Sequence, residues 1–258
     1  MSLFNLSGKT ALVTGGNGGI GLGIAEGLAD AGAQLVIAAR NTEKSTRVIA
    51  DLRAKGFSCI SVECDVADIC QIEKAVECTL SEFGNVDILV NNAGISGIPS
   101  EGPVETSDQI DESVWDQVMD INLKGLMRFS QVVFPHMKTS GGGKIINIGS
   151  MYSLFGSALV SSYSASKGGV VQLTKSLAVA WAPHNIQVNA ILPGWITTDM
   201  AAPIIENKPF HDLVVARTPA GRFGVIDEMA GAGVFLASEA SQFVTGISLP
   251  VDGGYSVF

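Results

Sequence analysis

Seven short apolar runs punctuate the chain: "TALVT" (10–14), "QLVIAA" (34–39), "CISVECD" (59–65), "VDILVNNA" (86–93), "KIINIGS" (144–150), "QVNAILPG" (187–194) and "ISLPVDG" (247–253). Rich in Val, Ile and Leu and without clean alternation, they have the pattern of strands covered on both faces. The segments between them carry helical period instead. In "DICQIEKAVECTLSEFG", Ile69, Ile72, Val76, Leu80 and Phe83 recur at three- and four-residue steps. Asp68 and Gln71 form a capping pair at its start, and Gly84 stops it. Ile20, Ile24 and Leu28 make a similar stripe that Gly32 ends. This alternation predicts one doubly wound α/β domain over residues 1–258, its seven-stranded, mostly parallel sheet covered by helices on both faces. The stretch 195–225 fits the alternation worst and is predicted to form a mobile lid between the last two strands.

Composition supports a well-filled core. The 258 residues are 47% hydrophobic and 16% charged. No apolar run reaches the roughly 18 residues of a membrane span, and "MSLFNLSGKT" lacks the pattern of a secretory signal. The expectation is a cytoplasmic protein without a membrane partner. Cys59, Cys64, Cys70 and Cys78 match neither a redox pair nor zinc-ligand spacing, and are read as small buried apolar side chains. His136, His184 and His211 are scattered, so no metal site is predicted. The net charge of −9, with no basic block, argues against a nucleic-acid partner. A local site for an anionic cofactor can still oppose that charge.

Candidate chemistry begins directly after the first strand, with "TGGNGGIGLGIAEGL". Glycines there let the backbone turn sharply and approach a pyrophosphate at the start of the following helix. GxGxxG occurs at Gly16, Gly18 and Gly21, with a strand before it and an amphipathic helix after it. A second strand ends about 20 residues on, which completes a Rossmann-type dinucleotide unit. That strand ends in Ala39 and Arg40. An acid there would accept the adenosine ribose hydroxyls and repel a 2′-phosphate; alanine lifts the repulsion and arginine offers a charged fork. NADP is the expected cofactor, with NAD use left open. Further on, Tyr163 and Lys167 lie four apart in a helical stretch, one turn from each other. A lysine ammonium beside a phenol is expected to lower its pKa and fit it for proton transfer. Ser150 ends the strand "KIINIGS" at the carboxyl end, where open α/β sheets bind ligands.

Thr14-Gly15-xxx-Gly19-x-Gly21 resembles the TGxxxGxG fingerprint of the classical short-chain dehydrogenases/reductases, and the resemblance continues over nearly the whole chain. Asp65 in "CDV" matches the acid at the adenine ring, "NNAG" (91–94) the motif after the fourth strand, and Asn122 in "DINLKG" the active-site asparagine. Ser150 stands thirteen residues before Tyr163 in "YSASK", which ends at Lys167, and Pro193-Gly194 with Thr198 resembles the nicotinamide-side motif. The resemblance implies reversible hydride transfer between nicotinamide and a ketone or secondary alcohol. Tyr163 would be the proton donor and acceptor, Ser150 would orient the substrate, and Lys167 would also hold the nicotinamide ribose. Asn122 would position a proton-relaying water. The implied cofactor contacts are Thr14, Gly15, Asn17, Gly19, Ile20, Gly21, Arg40, Asp65, Val66, Asn92, Ala93, Gly94, Tyr163, Lys167, Pro193, Gly194, Ile196 and Thr198. One departure is Gly18, where many NADP-dependent members carry a basic residue.

The implied small-molecule pocket comprises Ile95, Ser96, Tyr152, Ser157, Trp195 and the stretch Met200 to Phe210. The segment Ile95 to Asp111 is longer and more acidic than usual in the family and is expected to narrow the cleft. The C-terminal "RTPAGRFG…LPVDGGYSVF" is similar to sugar-acid and polyol dehydrogenases, pointing to a small polar ketone. The alternatives are a 3-oxoacyl-thioester reductase, which shares the "PGWITTDM…GRFG" layout, and a non-catalytic dinucleotide-binding relative. A Rossmann-like methyltransferase would not need the Ser-Tyr-Lys set. The family further implies a homotetramer through the apolar stretches 112–138 and 161–182.

Overall fold

A computed structural model describes residues 3–98 and 106–258, the side chain of Ile204 excepted. The predicted strands form β1 (Thr10–Thr14), β2 (Gln34–Ala39), β3 (Cys59–Glu63), β4 (Ile88–Asn91), β5 (Gly143–Ile148), β6 (Ile186–Pro193) and β7 (Ser248–Val251). They build one sheet in the order β3-β2-β1-β4-β5-β6-β7, and every pairing is parallel. The helices are α1 (Gly19–Asp30), α2 (Thr42–Ala54), α3 (Ile69–Phe83), α4 (Glu112–Met119), α5 (Leu126–Thr139), α6 (Ser161–Trp181), α7 (Ala202–Glu206), α8 (Lys208–Arg217) and α9 (Ala230–Ala237).

Strand alternation divides the core into two layers. Ala11, Val13, Leu35 and Ile37 pack with Ile24 and Leu28 of α1, Leu52 of α2 and Leu236 of α9. Leu12, Val36 and Leu89 face the other way, onto Ile72 and Val76 of α3 and Phe129 and Val133 of α5. Each such fully buried Val, Leu, Ile or Phe side chain contributes roughly 1.5–3 kcal/mol. Both layers being apolar explains why the central strands read as continuous hydrophobic runs. The edges differ: after buried Cys59, β3 alternates partly buried and exposed positions, and β7 is only partly covered. The α3 signals work as read. The Asp68 carboxylate accepts from the Cys70 and Gln71 amides, Gln71 Nε2 donates to Asp68 Oδ2 at 2.9 Å, and Gly84 closes the helix at φ 81.

The sheet reverses its direction of winding between β1 and β4, so their carboxyl ends open a crevice. Beneath it runs a buried polar chain through the second layer. Asn91 Nδ2 donates to Ser130 Oγ at 3.1 Å and to Asn147 Oδ1 at 2.9 Å, and Asn147 Nδ2 donates to Thr174 Oγ1 at 2.9 Å. It ties β4 and β5 to α5 and α6, directly below the strand ends that carry the site. Asn147→Ala leaves Asn91 with Ser130 alone and Thr174 with its bond to Val170 O alone in a dry interior, and is expected to cost about 2–4 kcal/mol. Urea unfolding measures this; a change below about 0.5 kcal/mol would show that the chain of bonds is dispensable.

Candidate active site

The glycine loop fills the crevice at the end of β1. Gly15 has φ 63, the left-handed region that other residues enter at a cost, and a Cβ on Gly21 would run into Asn92 Nδ2 and Gly15 O. The close fit has a cause. Asn92 Nδ2 donates to Thr14 O and Gly15 O at 3.0 and 3.1 Å. Thr14 Oγ1 in turn accepts from the Asn92 and Ala93 amides at 2.9 and 3.0 Å. Asn17 Nδ2 reaches Ser45 Oγ at 3.0 Å, fastening the loop to α2. Ile20 packs at the edge of the first core layer, Val66 is buried, and Asp65 Oδ1 accepts from the Ala67 amide at 3.0 Å. Arg40 is exposed at the end of β2 and, among the described residues, has no hydrogen-bond or ion-pair partner. Opposite, Thr198 lays its methyl group over Gly19, Gly194 lies against Asp252 after Pro193, and Ile196 is buried and bridges to Gly224.

The four residues proposed for catalysis converge. Ser150 follows β5, caps the next turn through the Tyr152 amide at 3.2 Å, and brings its hydroxyl close enough to that of Tyr163 to favour the phenolate. Lys167 is buried one turn along α6, its Nζ 5.6 Å from the Tyr163 ring centre, and donates to Ile148 O at 2.7 Å. Among the described residues that carbonyl is the acceptor its ammonium has. Asn122 lies in a widened π-type turn, Asp120–Gly125, between α4 and α5. Such turns are rare and concentrate at functional sites. Its amide is fully engaged: Oδ1 accepts from the Ile95 amide at 2.8 Å, while Nδ2 donates to Ile95 O at 2.9 Å and Ser166 Oγ at 3.1 Å.

Two expectations change here. Lys167 does not lower the Tyr163 pKa: burial pushes that hydroxyl up to about 12, and the nearby Ser150 hydroxyl offsets only part. The reason is that Lys167 is itself buried, which brings its own pKa down to about 8 and leaves it poorly placed to stabilise a phenolate alone. The cysteines are also not uniformly buried; Cys59 and Cys64 are, but Cys70 on α3 is exposed and Cys78 partly so. Among the described residues no cluster of His, Cys, Asp or Glu could hold a metal, and no helix is long and apolar enough to cross a membrane.

Aromatic rings line the side of the crevice toward the 195–225 stretch. Tyr152 meets Tyr163 and Trp195 edge-on, each at 6.3 Å, and Trp195 meets Phe210 at 5.9 Å. The Ser157 hydroxyl stands near Tyr152 and partly offsets the rise that burial gives its pKa. Of the segment expected to narrow the cleft, residues 99–105 lie outside the described residues; Ile95 and Ser96 stand at its near end, and Ser96 Oγ accepts from the Ile98 amide at 3.2 Å. Sequence reasoning missed the roles of Asn91 and Asn147. The available signal was an asparagine inside each of two otherwise apolar runs, where only a partnered amide is tolerated. It also passed over Lys44, whose Nζ lies against the glycine loop.

These groups suit a nicotinamide dinucleotide. A buried ammonium with two free N–H groups matches ribose hydroxyls, the glycines put no side chain between the loop backbone and a pyrophosphate, and Arg40 is an unpaired cation at the end of β2. Burying Lys167 is costly to the fold alone. Lys167→Met is therefore expected to stabilise the ligand-free chain at pH 7 by roughly 1–3 kcal/mol. The folded chain binds fewer protons than the unfolded one between about pH 8 and 10.5, so the gain is full below pH 8 and fades above it. Denaturant titrations of both proteins across that range measure it, and a destabilised variant at pH 7 would contradict this reading.

The family model described as "Enoyl-(Acyl carrier protein) reductase" matches residues 15–256. The 2-dehydro-3-deoxy-D-gluconate 5-dehydrogenase of Dickeya dadantii is 43% identical over 99% of this chain and 98% of its own length. The gluconate 5-dehydrogenase of Gluconobacter oxydans is 40% identical over 99% and 97%. Among solved structures, a gluconate 5-dehydrogenase from Burkholderia cenocepacia in complex with NADP and tartrate superimposes with a TM-score of 0.93, at 41% identity, over 99% of this chain and 98% of that one. With a crevice of this construction and likeness along its full length, the chain belongs to the short-chain dehydrogenase/reductase family.

Proposed function

We propose that this protein is an NADP(H)-dependent oxidoreductase that interconverts a keto group and a secondary alcohol on a small polyhydroxylated acid of the gluconate or 2-dehydro-3-deoxygluconate class. The observation that carries the chemistry is the Ser150 hydroxyl set beside that of Tyr163, one helical turn from a buried, under-partnered Lys167. The substrate class rests on the sugar-acid dehydrogenases that resemble the chain along its whole length. Bound nicotinamide supplies the hydride or accepts it, and in its oxidised form carries positive charge.

Ser150 holds the substrate oxygen against the Tyr163 hydroxyl. Tyr163 gives its proton to that oxygen in reduction and takes it back in oxidation. A phenol held near 12 by burial is a competent donor as it stands. For oxidation it must release the proton, and Lys167, drawn closer to full charge by ribose hydroxyls, supplies part of that stabilisation. Because the Asn122 amide is occupied by Ile95 and Ser166, any water it positions is held through its backbone carbonyl, within the widened turn. Residues 195–225 close over the substrate, with Trp195 and Phe210 as the inner face. The chain acts as a cytoplasmic homotetramer; the free thiols suit a reducing compartment, and Val179, 81% exposed on α6, suits a covered helix face.

A panel of 5-keto sugar acids, polyols and a 3-oxoacyl thioester, followed at the nicotinamide absorbance band with NADPH and NADP⁺, tests the reading. Turnover of sugar acids is expected; turnover of the thioester alone would replace that reading with the acyl one. Tyr163→Phe is expected to lower kcat on the order of 10²–10⁴-fold while NADP⁺ affinity stays near wild type. Retained turnover would remove Tyr163 from its role.

A further inference from the structure

A second cation stands at the adenosine end of the crevice. Lys44 is in the first turn of α2, four residues beyond Arg40, and its side chain crosses to the glycine loop. A Cβ built on Gly18 would stand 2.7 Å from Lys44 Nζ. Gly18 has φ 177, extended backbone open to any residue, so the turn itself does not require glycine there. What the missing side chain leaves room for is the ammonium. The same Nζ pairs with Asp199 Oδ2 at 2.9 Å. Asp199 follows Thr198, whose methyl group already covers Gly19. The pair therefore spans the mouth of the crevice, from α2 to the start of the 195–225 stretch.

We propose that Lys44 is a specificity-determining residue: with Arg40 it clamps the 2′-phosphate of the dinucleotide, and Asp199 is the partner it holds until that phosphate arrives. The inference rests on the NADP reading above. Asp199 is 91% exposed and Lys44 38% exposed, so their pair is worth little in water and exchanges easily. A phosphate dianion between Lys44 and Arg40 offers more charge and more acceptors than one carboxylate. Arg40 has no competing partner among the described residues. In a chain of net charge −9, a cation on the glycine loop and a second at the end of β2 make a local anion site that the whole molecule opposes. Exchange of Lys44 onto the phosphate also unfastens Asp199, so the stretch that follows Thr198 is released from α2 by the phosphorylated cofactor.

Dissociation constants of NADP⁺, NAD⁺, 2′,5′-ADP and 5′-ADP, measured calorimetrically, read this out without turnover. Lys44→Ala is expected to weaken NADP⁺ and 2′,5′-ADP about tenfold or more, with NAD⁺ and 5′-ADP changed less than about twofold. Asp199→Asn removes the competitor and is expected to tighten NADP⁺ about two- to fivefold, an effect absent in the Lys44→Ala background. Equal weakening of phosphorylated and unphosphorylated ligands would place Lys44 on the pyrophosphate and overturn the proposal, as would weaker NADP⁺ binding by Asp199→Asn. A wild-type chain that binds NAD⁺ but not NADP⁺ would overturn the cofactor reading itself.

Discussion

The hydrogen bond from Lys167 Nζ to Ile148 O, 2.7 Å long and fully inside the protein, is the constraint around which the crevice is arranged. An ammonium taken out of water is tolerated only where acceptors meet it, and here the last residue of β5 provides one. That single bond sets α6 against the end of the sheet. One turn earlier on the same helix, Tyr163 is thereby brought to Ser150, which follows β5. Ser153 Oγ, donating to Lys167 O at 2.7 Å, secures the strand-end turn to the same helix. Below, the Asn91–Asn147–Thr174 chain keeps β4, β5 and α6 in register. The site is thus a fixed scaffold holding two groups whose charge states burial disfavours.

That cost has a functional side. The fold alone leaves Tyr163 near 12 and Lys167 near 8, each shifted toward its neutral form. Both shifts have one cause, desolvation, and both are reversed by the same event: a ligand that offers hydroxyl acceptors to Lys167 and positive charge to Tyr163. Binding and activation are then two readings of one free energy. At the far end of the crevice the logic is different. Arg40 and Lys44 are surface cations in an acidic protein, and the role proposed for them is to select an anion rather than to organise the core.

Much of the fold was legible because each central strand is covered on both faces and so had to be written in Val, Ile and Leu. The glycine loop could be placed by its neighbours, and Ser150, Tyr163 and Lys167 by spacing with respect to β5 and α6. What spacing does not contain is burial. The sequence shows a lysine four residues from a tyrosine; it does not show that both sit in a dry interior, which reverses the expected direction of the Tyr163 shift. Nor does it show that Asn122 spends its amide on Ile95, since that bond joins residues 27 apart. Lys44 was hidden for the same reason: its contact with Gly18 and Asp199 arises only when α2 and the stretch after β6 converge on the loop after β1.

The central claim, that desolvation holds Tyr163 neutral until the dinucleotide is bound, can be measured on the tyrosine itself. With only three tyrosines in the chain, the tyrosinate absorbance difference between wild type and Tyr163→Phe isolates its titration. The ligand-free protein should show Tyr163 ionising near 12, well above the ordinary tyrosine value. Saturation with NADP⁺ should bring that titration below the ordinary value. A Tyr163 that already ionises below its ordinary value without cofactor, or one whose titration NADP⁺ leaves in place, would contradict the account.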